Sequence, residues 1–364
     1  MSAQSRWRPG RVFIQFPAGV RSGGPDALHQ LCEALTAHGV EAWLVPLRWP
    51  AGRDDVSEYE RYGCRIAPAV PDDPDVAVVL PDVAASYVAT FERARPVVWW
   101  LSIDFSETYG PRMARRNGEV SWGGRLMHAY RVLAPWHAER RTSTLVALLG
   151  RASHCAQSEY ARRFLREHEG LPASLLSDYV HLDPQFHHPE HGDAPPREPL
   201  SVAYNPAKGA RYLTELRERM PDLVWRPVSG LDRDGVGRVL STSQVYVDLG
   251  HHPGKDRIPR EAALAGCVVI VGGRGSAALP EDVPVDDALR VPVTDDISQT
   301  AERTEQVLRR VLAEPEVWRS GQRGYRDWIR GEEQRFRDEV EEVFVRGGLA
   351  DPQEPARARS LEAE

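Results

Sequence analysis

Lysine occurs at only two positions of the sequence, and each has a glycine as a neighbour. Lys208 lies in the stretch YNPAKGARY and Lys255 in GHHPGKDRIPREAALAGC, whereas the other 44 of the 46 basic side chains are arginines. A lysine ammonium reaches a phosphate as a compact point charge, while the planar arginine fork needs more room. Two lysines on two tight loops therefore suit a diphosphate, with chance as the alternative explanation.

Each lysine precedes a segment with a helical pattern. We expect one helix around residues 210–220, just after Lys208, and another that begins at Pro259, just after Lys255. Free N–H groups and the helix dipole make a helix N-terminus a site for anions. Glu261 falls in the first turn of the second helix, where its carboxylate could either interact with the dipole or accept hydrogen bonds from ribose hydroxyls.

Short apolar segments alternate with helical ones along the first half of the chain. The first segment leads through Gly23 and Gly24 into a helix for which Pro25 suits the first position and which Gly39 can end. Continuous apolar strands between helices are typical of a parallel sheet covered on both faces. The strand-like segments are residues 11–16, 40–47, 76–81, 96–103, 131–135 and 154–158.

The same alternation restarts after residue 200 and predicts a second α/β domain. We expect an N-terminal Rossmann-like domain over 1–182, a proline-rich linker over 183–199 and a C-terminal Rossmann-like domain over 200–327. A terminal helix over 328–346 is expected to return to the first domain. The tail over 347–364 has little to bury, so we expect it to be disordered.

Composition excludes several classes of protein. A formal net charge of −7 with dispersed arginines argues against a nucleic-acid partner. The four cysteines form no CxxC pair, which argues against a disulfide framework or a zinc knuckle. No run of about 18 apolar residues exists, so we expect no integral membrane segment and a cytoplasmic location.

Several motifs occur in an order that resembles a known superfamily. The stretches SGGPDALHQLCEALTAHGVEAWLV, AQSEYARRFLREHEGLP, DYVHLDPQFHHP, YNPAKG and PGKDRIPREAALAGCVVI follow one another along the chain. Together with GEEQRFRDEVEEVF they resemble the GT-B fold glycosyltransferases, specifically the retaining, sugar-nucleotide-dependent branch similar to family 4. The resemblance implies two Rossmann-like domains that face a cleft.

The resemblance also implies roles for individual residues. Lys208 would contact the donor diphosphate and Glu261 the nucleotide ribose. The family's paired glutamate falls on Pro253, and we expect Lys255, Arg257, His251 or His252 to supply the missing interactions. The residues expected to bind the donor are Gly23, Gly24, Asn205, Lys208, Gly209, His252, Gly254, Lys255, Arg257, Ile258, Glu261, Gly273 and Ser276.

The implied reaction moves a glycosyl group from a nucleotide-diphosphate sugar to a saccharide, lipid or natural-product acceptor. Lys208, Lys255 and helix N–H groups would stabilise the leaving diphosphate, so no metal and no cofactor are expected. The sequence leaves a monomer and a homodimer equally open. Two alternatives to transfer are a sugar-nucleotide epimerase or hydrolase and a non-catalytic nucleotide- or partner-binding module.

Some further residues have two interpretations. Asp104 and Glu107 follow an apolar strand and could act as a general base or cap a helix. Trp99 and Trp100 are expected in the core. His137 could touch a substrate, although a solvated loop histidine is the commoner outcome. The linker histidines His187, His188 and His191 lack the convergent partners of a zinc site.

Overall fold

A computed structural model describes residues 7–20, 22–47, 57–109, 147–186 and 196–349. The described residues divide into two compact units. Unit 1 takes its residues from Met1–Asp178 and Gln334–Glu364, and unit 2 comprises Tyr179–Glu333. No helix among the described residues is long and apolar enough to cross a membrane.

Unit 1 contains a six-stranded sheet in the order β2-β1-β3-β4-β5-β6, with every neighbouring pair parallel. The middle strand β3 is buried along its whole length, and β4 is buried except at Arg95, as in a sheet that is covered on both faces. Trp99 and Trp100 are fully buried, as the sequence predicts. The strands are β1 (Arg11–Pro17), β2 (Glu41–Leu47), β3 (Val76–Pro81), β4 (Arg95–Trp100), β5 (Ser153–Ala156) and β6 (Ser174–Leu175).

The helices of unit 1 include α1 (Gly23–Ala37) and α2 (Glu159–Phe164). Gly39 follows α1 with a φ of +76°, the left-handed conformation expected at a helix end. From Gln334 onward the chain belongs to unit 1 again. There the Phe336 ring stacks on Trp99 with centroids 6.3 Å apart.

Unit 2 contains a five-stranded parallel sheet in the order β11-β10-β9-β7-β8. Val202 and Tyr204 face one apolar cluster and Ala203 faces the other, so both faces of the sheet are covered. The strands are β7 (Ser201–Tyr204), β8 (Val224–Pro227), β9 (Val245–Asp248), β10 (Val268–Gly272) and β11 (Arg290–Val291). Both units are therefore doubly wound α/β structures, which confirms the predicted fold class.

Among its described residues, unit 2 has six α-helices, and a seventh spans its end. They are α3 (Ala210–Arg219), α4 (Arg233–Thr242), α5 (Arg257–Leu264), α6 (Ile297–Ala313), α7 (Pro315–Gly321), α8 (Arg323–Arg330) and α9 (Glu332–Val340). The predicted strand at residues 131–135, most of the predicted linker and the tail beyond residue 349 lie outside the described residues.

Two predicted helix starts were two residues too late. α1 begins at Gly23 rather than Pro25, and α5 begins at Arg257 rather than Pro259. In each case proline occupies the third helical position, where a backbone N–H has no intrahelical partner and its loss costs nothing. Glu261 consequently lies beyond the first turn of α5, and the helix-dipole interpretation of its carboxylate was wrong.

Candidate active site

The sheet of unit 2 changes its winding direction between β7 and β9. These two strands are neighbours, while the chain continues outward to β8 on one side and to β10 and β11 on the other. Ligands of open parallel sheets bind at the carboxyl ends of the strands beside such a switch point. The loop after β7 carries Lys208 and the loop after β9 carries His252, so both predicted loops meet at this place.

Two glycines let these loops approach each other closely. Gly209 has a φ of +63°, and a Cβ atom there would lie 2.7 Å from the backbone carbon of Leu249. A Cβ atom on Gly250 would lie 2.8 Å from Cβ of Lys208 and 3.0 Å from its Cδ. Either side chain would push the loops apart, so the glycines fix the position of the lysine stem.

The ammonium of Lys208 lies between the two loops. Its Nζ donates to the carbonyl oxygen of His251 at 3.1 Å and is 2.8 Å from Oδ2 of Asp256. Its side chain remains 22% exposed. The side chain of Asn205 accepts a hydrogen bond from the N–H of Ala207 at 3.0 Å and so shapes the turn that precedes α3.

His252 is fully buried between two carboxylates. Its Nε2 lies 3.5 Å from Oδ1 of Asp248, and its Nδ1 lies 3.4 Å from Oδ2 of Asp256. Burial lowers the pKa of His252, but the two carboxylates outweigh burial and raise it above the ordinary value. Burial opposes ionisation of Asp248 as well, yet His252 and Lys208 lower the pKa of that carboxyl to about 2.

Asp248, His252 and Asp256 are within metal-binding reach of one another. One ligand atom from each lies within 4.8 Å of the others, which makes them a candidate group among the described residues. However, the two histidine nitrogens face different carboxylates, and an ammonium already contacts Asp256. These carboxylates therefore have cationic partners in the protein, and we assign no metal to them.

Lys255 lies in a different environment from Lys208. Its ammonium is 3.1 Å from Oε1 of Glu332 and lies over the Trp328 ring, 4.8 Å from the centroid. Arg260 contacts the other oxygen of the same glutamate at 2.9 Å. The side chain of Lys255 is only 5% exposed. This buried ion pair accounts for a cation at position 255 without a ligand, and its contact with a phosphate stays a prediction.

Glu261 is buried and paired with an arginine from α4. Its Oε1 accepts a hydrogen bond from Nη1 of Arg233 at 3.1 Å, and Arg233 also donates to Asp183 from Nε at 2.6 Å. The guanidinium carbon of Arg233 lies over the Phe186 ring, 4.8 Å from the ring centroid. Burial raises the pKa of Glu261, against the opposing charges of Arg257 and Arg233.

The loop after β10 closes the other side of the site. The hydroxyl of Ser276 donates to the carbonyl of Gly254 at 2.6 Å, and the N–H of Ser276 donates to the carbonyl of His252 at 2.9 Å. The N–H of Gly273 is bonded to Val291 at 2.8 Å, within the strand edge. The structure thus brings these residues to the same end of the sheet as Lys208.

The remaining predicted donor residues of unit 2 occupy the start of α5. Arg257 and Ile258 are its first two residues, and Asp256 precedes them as the N-cap residue. Ile258 packs against the apolar cluster beneath the helix. Arg257 is partly exposed and acts on Glu261 through its charge.

Three predicted site residues lie in unit 1. A Cβ atom on Gly23 would meet nothing within 4 Å, and one on Gly24 would make an ordinary contact of 3.7 Å with Leu101. Neither has a positive φ, so sterics do not require glycine at either position. Asp104 is buried in a short turn after β4, where Tyr160 donates to it at 3.3 Å.

Asp82 is a buried carboxylate that the sequence analysis did not single out. It follows β3, which adjoins β1 at the switch point of the unit 1 sheet. It accepts a hydrogen bond from the N–H of Ser102 at 2.6 Å and further ones from the backbone of Val83 and Leu101. Burial nevertheless outweighs these bonds and raises its pKa to about 7.

Comparison with solved structures supplies the fold family. Sucrose-phosphate synthase from Thermosynechococcus elongatus superposes with a TM-score of 0.62 at 14% identity, over 92% of this chain and 98% of that one. A glycosyltransferase from Rickettsia africae ESF-5 superposes with a TM-score of 0.56 at 11% identity, over 93% of this chain and 99% of that one. WaaG, a glycosyltransferase involved in lipopolysaccharide biosynthesis, superposes with a TM-score of 0.53 at 12% identity, over 90% of this chain and 99% of that one.

The chain has the GT-B fold. No protein-family model and no curated protein matches the sequence, and at these identities the similarity establishes the fold alone. Within this fold, Lys208, His252 and Glu261 lie at the carboxyl end of the unit 2 sheet, where the sequence analysis expected a donor site. His137, His187, His188 and His191 lie outside the described residues.

The candidate site also contains partners that sequence analysis missed. Asp248 and Asp256 flank His252 at intervals of four residues, and Arg233 holds Glu261. The regular spacing Asp248, His252, Asp256 was visible in the sequence and could have identified the aspartates. Nothing local indicated Arg233 or Glu332, because each meets its partner only after the chain has folded.

Proposed function

We propose that this chain transfers a glycosyl group from a nucleotide-diphosphate sugar to a hydroxyl group of a saccharide, lipid or natural-product acceptor. The observation that carries the proposal is the placement of Lys208. Its ammonium lies at the switch point of the sheet, directly before the N-terminus of α3, and its stem is fixed by Gly209 and Gly250. A lysine beside free helix N–H groups is suited to a diphosphate.

In the proposed reaction the bond from the anomeric carbon to the β-phosphate oxygen breaks, and a bond to the acceptor oxygen forms. The electron pair of the broken bond leaves with the nucleoside diphosphate, and the acceptor hydroxyl transfers its proton to the leaving phosphate oxygen. Lys208 and the first N–H groups of α3 stabilise the charge that develops on the leaving oxygen. We propose no metal, because this positive charge takes the place of a divalent cation.

Glu261 is proposed to bind the ribose of the donor. Arg233 occupies one of its carboxylate oxygens, Oε1. The pairing opposes the effect of burial on the pKa of this carboxyl and orients the group, which suits a hydrogen-bond acceptor for a hydroxyl. We further propose retention of configuration at the anomeric carbon, on the similarity of the Lys208 and Glu261 motifs to the retaining branch. The anomeric coupling in the proton NMR spectrum of the product tests this point.

The first test is binding of UDP, GDP, ADP, CDP and dTDP to the wild type, read as an increase in melting temperature. For the nucleotide that binds, Lys208→Ala should weaken the diphosphate at least tenfold, since a charge-assisted contact contributes about 1.5–3 kcal/mol. Affinity for the corresponding nucleoside should stay unchanged. Arg238→Ala is the matched control, because Arg238 is an exposed cation on α4 of the same unit.

Equal weakening of diphosphate and nucleoside would contradict the phosphate role of Lys208. Release of free sugar or of an epimer without any acceptor would replace transfer by hydrolysis or epimerisation. Failure of all five nucleotides to bind would instead support a non-catalytic module.

A further inference from the structure

Four charged side chains form one cluster at the switch point of unit 2. His252 is at its centre, with one ring nitrogen facing Asp248 and the other facing Asp256, and Asp256 in turn contacts Lys208. The imidazole is fully buried, and within the described residues neither ring nitrogen makes a hydrogen bond, so the carboxylates at 3.5 and 3.4 Å contact it as ion-pair partners. We refer to Lys208, Asp248, His252 and Asp256 as the switch-point cluster.

The protonation state of His252 follows from its two neighbours. An ionised carboxylate only accepts hydrogen bonds, whereas a neutral imidazole has one N–H and one lone pair. A neutral ring would therefore direct its lone pair at one of the carboxylates. An imidazolium has an N–H on both nitrogens and suits both.

The charge of the switch-point cluster decides whether it can face a diphosphate. One lysine and two aspartates carry a net charge of −1, which would repel an incoming anion. With His252 as a cation the cluster is neutral, and the ammonium of Lys208 remains at its surface. The carboxylate of Asp256, which contacts Lys208, is then no obstacle to phosphate binding.

We propose that His252 is the positioning residue of the phosphate lysine: its imidazolium ties Asp256 to Asp248, holds Asp256 against the Lys208 ammonium, and cancels the charge that would repel a diphosphate. This inference rests on the proposed function and adds a residue to it. Among the described residues, Tyr246 also faces the cluster, since its hydroxyl donates to Asp248 at 3.2 Å, and Tyr325 is near enough to Asp256 for the two groups to interact electrostatically. Both carboxylates also favour the cationic form of His252 in their effect on its pKa.

The test compares the wild type with His252→Gln, Asp248→Asn and the double variant that combines them. Their clusters carry net charges of 0, −1, +1 and 0, in that order. Isothermal titration with inorganic pyrophosphate measures the charged part common to all nucleoside diphosphates. We expect His252→Gln to weaken pyrophosphate at least tenfold, because one unit charge already has that effect at a distance of about 12 Å when the effective dielectric constant is near 20. The double variant should recover to within about threefold of the wild type.

The double variant also protects the test against unfolding. His252→Gln leaves Asp248 buried without its counter-ion and could fail to fold for that reason alone. The double variant removes the buried carboxylate together with the histidine charge, so its pyrophosphate affinity remains interpretable.

A second measurement needs no ligand. Nitrogen-15 NMR of labelled histidine at pH 7.5 should show both ring nitrogens of His252 protonated in the wild type, and Asp248→Asn should reduce that protonated fraction. A neutral His252 in the wild type would overturn the inference, as would equal pyrophosphate affinity in all four folded proteins.

Two further outcomes would distinguish a metal site from an imidazolium and failure of the proposed function from failure of this inference. A melting temperature that rises with MgCl₂, MnCl₂ or ZnCl₂ in the wild type but not in His252→Gln would make the cluster a metal site and refute the imidazolium. If pyrophosphate and all the nucleotides fail to bind a wild type whose His252 is an imidazolium, the proposed function fails, and with it the role of His252 in diphosphate binding.

Discussion

Gly209 provides a quantitative test of how the two loops of the candidate site are held together. The residue has a φ of +63°, and an alanine Cβ there would lie 2.7 Å from the backbone carbon and 2.9 Å from the backbone oxygen of Leu249. Gly209→Ala therefore incurs two costs. The left-handed backbone costs about 1–2 kcal/mol for a residue with a Cβ atom, and forcing the loops apart costs about 1–3 kcal/mol more.

Gly230 is the matched control in the same unit. Its φ is +68°, almost the same as that of Gly209, but a Cβ atom there would meet nothing within 4 Å. Gly230→Ala should lose only the backbone contribution of about 1–2 kcal/mol. The difference between the two variants isolates the contact between the loop after β7 and the loop after β9.

The assay is hydrogen exchange of backbone amides in β7 and β9, together with urea unfolding. Exchange reports the stability of unit 2 itself, which matters because a chain with two units need not unfold in a single step. Gly209→Ala should lower the free energy of opening by about 2–5 kcal/mol in total and Gly230→Ala by about 1–2 kcal/mol. Equal losses in the two variants would refute the close approach of the loops.

Two further predictions concern buried carboxylates. The folded pKa of Asp82 is raised to about 7, so its stabilising effect is complete below the unfolded pKa near 3.8 and is lost as the pH rises through 7. The free energy of unfolding should therefore fall between pH 5 and 7, with a limiting slope of about 1.4 kcal/mol per pH unit for one proton. Asp82→Asn should reduce this slope. An unchanged slope, measured by urea unfolding at a series of pH values, would exclude Asp82 as its source. If Glu261 binds ribose, Glu261→Gln should lose most of the preference for a ribonucleoside diphosphate over its 2′-deoxy analogue, measured as a ratio of dissociation constants, and a preserved ratio would assign the ribose to another residue.

The sequence was sufficient for the architecture because periodicity and glycine placement are local. Uninterrupted apolar runs such as Val76–Pro81 identify strands buried on both faces, and they form the parallel sheets of both units. The loops after β7 and β9 could be selected because unusual residues followed apolar strands. Helix starts were less accurate, since proline is tolerated at the third helical position as well as the first.

The partners of the site residues could not be predicted in the same way. Lys208 is paired with Asp256, Lys255 with Glu332 and Glu261 with Arg233, across separations of 48, 77 and 28 residues. Each pair forms because the sheet brings distant loops to one edge, and no periodic pattern records which loops will meet. The sequence therefore indicates where the charged residues of the site are, but only the folded structure shows which residue of opposite charge pairs with each of them.

The two lysines lie in different surroundings. The stem of Lys208 lies so near Gly250 that a single methyl group there would contact it at 2.8 Å, and the ammonium of Lys255 is enclosed between Glu332 and the Trp328 ring. A planar guanidinium carries five donors and needs acceptors for them when buried, whereas an ammonium needs three at most. Burial alone does not select lysine, however, since Arg260 contacts the same glutamate as Lys255 with a side chain that is only 3% exposed. The side chain of Lys208 is more than four times as exposed as that of Lys255, and for this reason we propose a contact with phosphate for Lys208 first.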